Sequence, residues 1–362
     1  IVQALCQQGA KVDVIFGGMP VPHISFGDAT MHQLTAIKSA DAGFRGLVKA
    51  DGSEFTEQDK LARSQALLAL CEQLQPDVIV TETYPFGRRQ MRFELLPLLD
   101  WVKSQAKPPV LVASIRDILQ RRAEHREREC VELVQANYQH VLVHGDEQFY
   151  PLKRSFPFAD EIADKVSYSG YVCPKLTPEI TQIDPKIVVS IGGGSVGKNI
   201  LETALALFNS GFENDKQWLL VTGPNMPAAD KADLQAQQQA LPASRRDNLQ
   251  VVELADDFVQ TLKHAHISVS MAGYNTVMDL LLTKVPAVVV PFEGEGETEQ
   301  LERSKVLADG GVLQLLEMPD LTVERLKTVM SHAFINASNS ADIDNQGAER
   351  SAEYLINWVG DK

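Results

Sequence analysis

Little in this sequence points to metals, membranes or nucleic acid. Its four cysteines, Cys6, Cys71, Cys130 and Cys173, stand far apart, with no metal-ligand spacing and no paired framework. They read as the reduced thiols of a cytoplasmic protein. No apolar run approaches the roughly 18 residues of a membrane span, and no signal-peptide pattern is present, so neither spanning nor secretion is expected. Positive charge is scarce: 34 Lys and Arg face 48 Asp and Glu, a formal net charge of −14. That field repels nucleic acid and anionic lipid as general partners. It leaves room for a small anion, because backbone N–H groups at a helix start hold phosphate whatever the net charge. The basic cluster around Arg88 could also dock locally at a membrane surface. The sequence has no short-period repeat, no low-complexity tract and no His/Asp/Glu cluster suggesting a bound metal.

What is present is the composition of an ordinary globular protein, 44% hydrophobic and 23% charged. Its 362 residues are too many for one core and comfortable for two. Residues 1–8 read as the last turns of a helix with Gly9 as C-cap, followed by a strand over 12–16. An α/β domain ordinarily opens on a strand and a Gly-rich turn, so one strand and one loop are expected to be missing ahead of this helix. Further strands are predicted over 78–81, 110–114 and 141–144, with amphipathic helices over 60–74 and 90–104. At 169–185 the pattern relaxes into SGYVCPKLTPEITQIDP, where three prolines mark a domain boundary. Alternation then restarts, with strands over 187–191, 218–222, 249–254, 267–270 and 287–290. Helices are predicted over 199–209, 229–240, 257–264, 276–282 and 299–309, and an amphipathic helix over 348–358 closes the chain. This α/β pattern predicts two Rossmann-like, doubly wound domains, 1–172 and 173–340, and a closing segment 341–362. Ligands of such sheets bind beyond the carboxyl ends of the strands.

The segment IVVSIGGGSVGKN, 187–199, is a strand, a Gly-rich turn and a helix start. Gly192, Gly194 and Gly197 fit the dinucleotide fingerprint, which also needs an acid closing the second strand to hold a ribose. That strand ends at Val221, Thr222, Gly223 and Pro224, without a carboxylate. Gly192, Gly197 and Lys198 fit a Walker A loop, but Asn199 stands where the magnesium-binding Ser or Thr belongs. A diphosphate approached by backbone N–H groups at a helix start needs fewer parts than either. The bland alternative is a bare βα turn, for which three consecutive glycines are costly in backbone entropy.

Residues 268–303, SVSMAGYNTVMDLLLTKVPAVVVPFEGEGETEQLER, are the most informative stretch. A strand ends at Ser270, Gly273 turns the chain, and a helix begins near Asn275 or Thr276, with Asp279 in about its first turn. Asp279 there either accepts from the vicinal hydroxyls of a ribose or complements the helix dipole, a first-turn effect of about 0.3–1 kcal/mol. The next strand ends at Pro291 and Phe292, ahead of Glu293, Glu295 and Glu297 and then Glu299 and Gln300 at a helix start. That set is either a sugar-hydroxyl site or a solvated acidic loop.

The order strand–GGS-x-G–helix, strand–GYNTVMD–helix, VPAVVVPF–loop–EQ resembles the MurG family and the glycosyltransferase family 28 C-terminal domain, over roughly residues 185–335. The resemblance implies a GT-B fold, two Rossmann-like domains facing across a cleft, with the closing helix crossing back onto the first. It places Gly193, Gly194, Ser195, Gly273, Thr276, Asp279, Glu299 and Gln300 in a nucleotide-sugar donor site, with Asp279 on the ribose. The nucleotide-sugar is a substrate, UDP-linked by the resemblance, and no cofactor is implied. The family's usual glutamate is an aspartate here, Glu299 replaces the first of a glutamine pair, and the loop before it is one residue longer, so nucleotide and sugar stay open. In the first half, FGGMPVP, TETYPFGRRQMRFELLPLL, SIRDIL and VLVHGD are similar to a smaller group of predicted glycosyltransferases related to the MurG family.

The first half then carries the acceptor side. Glu82, Asp117 and His144 stand at strand ends and are candidates for the general base, although a lone histidine there also reads as structural. Arg88, Arg89 and Arg92 form a compact basic group, and Arg116 closes the next strand. Their guanidinium forks suit an acceptor phosphate or carboxylate, unless they only pair with neighbouring acids. The expected function is inverting, metal-independent transfer of a sugar from a nucleotide-sugar to an anionic or membrane-associated acceptor. The protein is expected in the cytoplasm, at the membrane periphery, without nucleic-acid partners. Two alternatives stay open: a nucleotide-sugar epimerase or hydrolase of the same fold, and a non-catalytic nucleotide-sugar-binding protein.

Overall fold

The structure, a computed structural model, describes residues 1–20, 25–40, 46–174, 186–193, 196–292, 294, 298–335 and 343–360. The chain divides into two compact units, Ile1–Val172 with Gln346–Lys362, and Cys173–Asn345. Both are α/β with parallel sheets.

The first unit begins with α1 (Val2–Gln7), β1 (Asp13–Phe16) and β2 (Thr30–Gln33), the two strands forming a separate parallel pair. A small antiparallel pair follows, β3 (Ile37–Ser39) and β4 (Leu47–Lys49), and then α2 (Glu57–Leu74). Thr56 starts α2 with a capping box, its hydroxyl accepting from Asp59 N–H while the Asp59 carboxylate accepts from Thr56 N–H. The main sheet contains β5 (Val78–Glu82), β6 (Val110–Arg116), β7 (His140–His144) and β8 (Val166–Tyr168), all parallel and in that order. Helices α3 (Arg92–Ser104) and α4 (Glu124–Asn137) connect them.

The apolar stretches 110–113 of β6 and 141–143 of β7 follow from both faces being covered. Leu111, Ala113 and Ile115 lie in one core with Cys130, Val131 and Val134 of α4. The alternate residues Val110 and Val112, with Leu142, meet Leu5 of α1 and Leu355 of the closing helix, Gly347–Gly360. That helix therefore packs on the first unit. It is fastened there by Gly347, whose N–H donates to Tyr171 O at 3.0 Å and whose missing side chain leaves room for the Tyr171 backbone.

The second unit contains β9 (Lys186–Ser190), α5 (Lys198–Asn209), β10 (Gln217–Val221), α6 (Ala228–Gln239), α7 (Ala243–Arg246) and β11 (Leu249–Val252). It continues with α8 (Phe258–Lys263), β12 (Ile267–Met271), α9 (Tyr274–Thr283), β13 (Ala287–Val290), α10 (Glu299–Asp309), β14 (Gln314–Leu315) and α11 (Val323–Ile335). The sheet is wholly parallel, in the order β11-β10-β9-β12-β13-β14. Strand order reverses between β9 and β12, which makes their carboxyl ends the topological switch point. Ile187, Val189 and Ile191 pack with Ile200, Leu201, Ala204 and Phe208 of α5 and with Leu326, Val329 and Met330 of α11. Among the described residues no helix is long and apolar enough to cross a membrane.

One buried ion pair organises the first unit around β1. Arg63 of α2 donates through Nε to Glu94 Oε2 of α3 at 2.7 Å, and both side chains are almost wholly buried. Arg63 Nη1 donates to Gly17 O at 3.0 Å and to Thr35 O, so one guanidinium joins two helices to the turn after β1. Gly17 has no space for a side chain, since a Cβ there would meet that guanidinium. Removing one partner of such a pair strands the other charge. Glu94→Ala is expected to lower the stability of this unit by about 3–5 kcal/mol, read from the urea transition of the first unit. A loss below about 1 kcal/mol would mean that the carbonyls alone satisfy Arg63.

Candidate active site

Three turns of the second unit meet at the switch point. Gly192, after β9, and Gly223, after β10, both have positive φ, +70° and +73°. A Cβ on Gly223 would run into the Gly192 carbonyl oxygen, so the two turns touch backbone to backbone. Asn225 Nδ2 donates to Gly193 O at 2.5 Å and holds the same loop from outside. From the other side comes Thr276, in the first turn of α9, whose Oγ1 lies 3.6 Å from where a Gly192 Cβ would stand. Gly273 is the N-cap of that helix. Gly194 and Ser195 lie outside the described residues, as do Glu293, Glu295 and Glu297. Sequence pattern marks Gly223 only by the carboxylate it lacks and does not mark Asn225. The signal was the Thr-Gly-Pro-Asn run closing a strand beside the glycine loop.

Lys198 starts α5 but is directed to carboxylates, 3.0 Å from Asp230, 3.2 Å from Glu202 and 3.7 Å from Asp233. These bonds push its ammonium pKa above the usual lysine range. A Walker lysine would have to leave all three acids, which agrees with setting that reading aside.

Asp279 stands one turn further into α9 than the sequence suggests. It is the sixth residue of the helix, and the first turn carries no acid. Dipole complementation fades within the first turn, so it does not account for a carboxylate here. Asp279 is half-buried, and burial pushes its pKa up to about 6. A desolvated carboxylate near the start of a helix that leaves the switch point is a candidate for a binding or catalytic role. Its neighbour Cys173 has its thiol pushed up to about 12 by burial and by Asp279. At the start of α10, Gln300 Oε1 accepts from Phe292 N–H at 3.0 Å, which closes the turn after β13. Glu299 accepts from Arg303 Nη2 at 2.8 Å.

The strand ends of the first unit differ from expectation in two respects. The basic group is not open: Arg88 donates to Glu82 at 2.9 Å, while Arg89 and Arg92 both grip Glu129. The Arg88–Glu82 pair is largely exposed, and exposed pairs contribute about 0–1 kcal/mol, while Glu129 and Arg92 are part-exposed. Arg116, closing β6, is exposed.

The second difference concerns the base candidates. His144 is buried, with Nε2 2.7 Å from Ser114 Oγ and Nδ1 3.1 Å from Ser169 Oγ, and burial pushes its pKa down to about 4. A neutral imidazole with both nitrogens engaged braces the strand ends and is not placed to carry a proton. Asp117 is 0% exposed and accepts from Tyr171 OH at 3.1 Å, so it too belongs to the interior. Of the three candidates, Glu82 alone presents an exposed carboxylate. A strand-end position in sequence does not reveal which way a side chain turns. Among the described residues no three His, Cys, Asp or Glu side chains converge on a metal-sized site.

Residues 188–355 match the glycosyltransferase family 28 C-terminal domain. The chain is 25% identical over 184 residues to the UDP-N-acetylglucosamine–N-acetylmuramyl-(pentapeptide) pyrophosphoryl-undecaprenol N-acetylglucosamine transferase of Histophilus somni, covering 49% of this chain and 48% of that protein. It is 27% identical over 178 residues to the enzyme of the same name from Yersinia pseudotuberculosis, with the same coverage. The chain thus spans about half the length of the curated relatives it matches. Acinetobacter baumannii MurG superposes with a TM-score of 0.59 at 15% identity, over 98% of this chain and 93% of that one. The spinosyn forosaminyltransferase SpnP does so at 0.61 and 14%, over 99% and 94%. The fold is GT-B, as the resemblance implied, and most of the family-model match lies in the second Rossmann-like unit.

The contact between Gly223 and the glycine loop of the second unit is open to test. Gly223→Ala would carry both a left-handed backbone and a methyl group against the Gly192 carbonyl. Gly211→Ala is the control, since Gly211 has φ +90° with nothing within 4 Å of a Cβ. Both are expected to lose about 1–2 kcal/mol from backbone strain. Only Gly223→Ala should also lose stabilisation by a nucleoside diphosphate in thermal melting. Equal nucleotide responses in the two variants would separate the 222–225 turn from binding.

Proposed function

We propose that this chain transfers a sugar from a nucleotide-sugar, UDP-linked, to an acceptor hydroxyl by a single inverting displacement that uses no metal ion. Asp279 is the observation that carries this reading. A desolvated carboxylate with no ion-pair partner among the described residues is a ready acceptor for the two vicinal hydroxyls of a ribose. The loop around Gly193, Gly194 and Ser195 and the start of α5 take the diphosphate, where backbone N–H groups and the helix dipole offset the charge of the leaving group. Thr276 borders Gly192 at the start of that loop and Gly273 caps the helix that carries it, and Glu299 and Gln300 meet the sugar hydroxyls. The choice of UDP follows the names of the relatives, which are UDP-N-acetylglucosamine transferases.

On the acceptor side the reading assigns Glu82 as general base. It takes the hydroxyl proton as the acceptor oxygen bonds to the anomeric carbon and the bond to the diphosphate breaks. Arg88, Arg89 and Arg116 meet a phosphate or carboxylate on the acceptor, the first two by exchanging it for their present acids. The relatives' names specify a pyrophosphoryl-undecaprenol acceptor. An acceptor of that chemistry, an anionic head on a lipid, would bring this chain to the cytoplasmic face of a membrane.

Thermal melting with UDP, dTDP, GDP, ADP, ATP and NAD tests the donor site. At 100 times its dissociation constant a ligand adds about 2.7 kcal/mol, and Asp279→Asn should abolish the gain from the preferred nucleoside diphosphate. The sign with pH follows from the raised pKa. Ribose hydroxyls need the ionised carboxylate, so affinity should fall as pH drops through about 6. The free protein should meanwhile gain stability from this group between about 6 and its unfolded value near 3.8. Stabilisation by NAD or ATP alone would overturn the reading.

Glu82→Gln is expected to reduce kcat with a lipid-phosphate acceptor extract by about 100-fold or more, with donor affinity unchanged. Donor consumption at the full rate without any acceptor would instead favour an epimerase or hydrolase. Binding without turnover would favour a non-catalytic protein.

A further inference from the structure

Arg303 is 1% exposed, in the second turn of α10, and no part of the donor-site reading uses it. Burying a guanidinium is costly unless its partners are well placed. One partner lies four residues back, where Nη2 donates to Glu299 Oε1 at 2.8 Å. The other is on a different helix: the guanidinium carbon sits 4.9 Å from the ring centroid of Tyr274, the first residue of α9. Tyr274 stands between the Gly273 cap and Thr276. One buried cation therefore ties the start of α10 to the start of α9. Two further bonds fix α10 itself, Gln300 Oε1 to Phe292 N–H and Ser304 Oγ, wholly buried, to Gln300 O at 2.7 Å.

An exposed pair at this spacing would contribute only about 0.2–0.5 kcal/mol. Burial and the aromatic face raise the value of the contact and also restrict its geometry. A carboxylate is an acceptor only, so a Glu299 held in one orientation selects hydroxyl donors in one place. A mobile Glu299 would accept many arrangements.

We infer that Arg303 is a positioning residue for sugar selection: it locks the Glu299 carboxylate against the α9 start and so sets which sugar hydroxyls are recognised. The inference rests on the donor-site reading of residues 273–300. Lysine would keep the charge but lose the planar fork and the stacking, so Arg303→Lys is the informative substitution.

The test compares UDP with UDP-glucose and UDP-N-acetylglucosamine by calorimetry and initial rates. With Arg303→Lys, the KM for the preferred UDP-sugar should rise about tenfold and kcat should change little. UDP alone, which lacks the sugar, should bind within about threefold of its wild-type affinity. Arg303→Met leaves the Glu299 carboxylate without its cation, and adding Glu299→Gln removes that charge. The two substitutions should be non-additive in UDP-sugar affinity by at least about threefold. If wild-type protein does not bind UDP, the donor-site reading itself fails. If wild type binds UDP but Arg303→Lys weakens UDP and UDP-sugar equally, or the two substitutions are additive, Arg303 only packs the helices and the inference is overturned.

Discussion

The close approach of Gly223 to the carbonyl of Gly192 is the constraint on which the candidate donor site depends. It brings the turns after β9 and β10 together backbone to backbone, beside the point where strand order reverses. A side chain on Gly223 would separate the turns. With the turns in contact, Asn225 reaches Gly193 O and Thr276 borders Gly192. The apolar layers beneath hold the strand ends in place. Ile187, Val189 and Ile191 on one face leave the chain no freedom to move the turns they precede.

Buried polar groups divide this protein into parts that hold and parts that wait for a ligand. Arg63 with Glu94, His144 with Ser114 and Ser169, and Asp117 with Tyr171 are each satisfied within the first unit. Satisfied groups of this kind stiffen a fold and offer nothing to a substrate. His144 shows the distinction well. The same residue at the same strand end, with one ring nitrogen facing solvent, would be a plausible proton carrier. Two hydroxyl partners and a pKa pushed down to about 4 make it a brace.

Much of the second unit was legible in sequence, because fully buried parallel strands write themselves as apolar runs such as 187–191 and 287–290. What escaped notice has physical causes. Helix α4 buries only Glu127, Cys130, Val131 and Val134 beneath a heavily charged exterior. Strands β8 and β14 are three and two residues long, too short for any period. Helix α11 carries its apolar spacing at Leu326, Val329, Met330 and Ala333, but follows the short β14 and a 3-10 turn that blur its start. At the candidate site the motif positions marked Gly273, Thr276 and Asp279. Pattern alone could not show that Arg88, Arg89 and Arg92 have acid partners, because those partners, Glu82 and Glu129, depend on how separate elements meet.

Asp279 and Arg303 finally differ in a way that sequence types alone would not suggest. Both are charged residues drawn out of water on neighbouring helices. Arg303 has its compensation in place, a carboxylate on one side and an aromatic face on the other. Asp279 has none among the described residues, and burial alone raises its pKa to about 6. Near neutral pH its ionised form is therefore held at a free-energy cost to the empty protein. Hydroxyl donors arriving at that carboxylate recover part of the cost, whereas a carboxylate already paired would have little to gain. Leaving one buried charge on α9 uncompensated while the other, on α10, is compensated concentrates the gain where a ligand would meet Asp279, and the surrounding helices keep their geometry while it does.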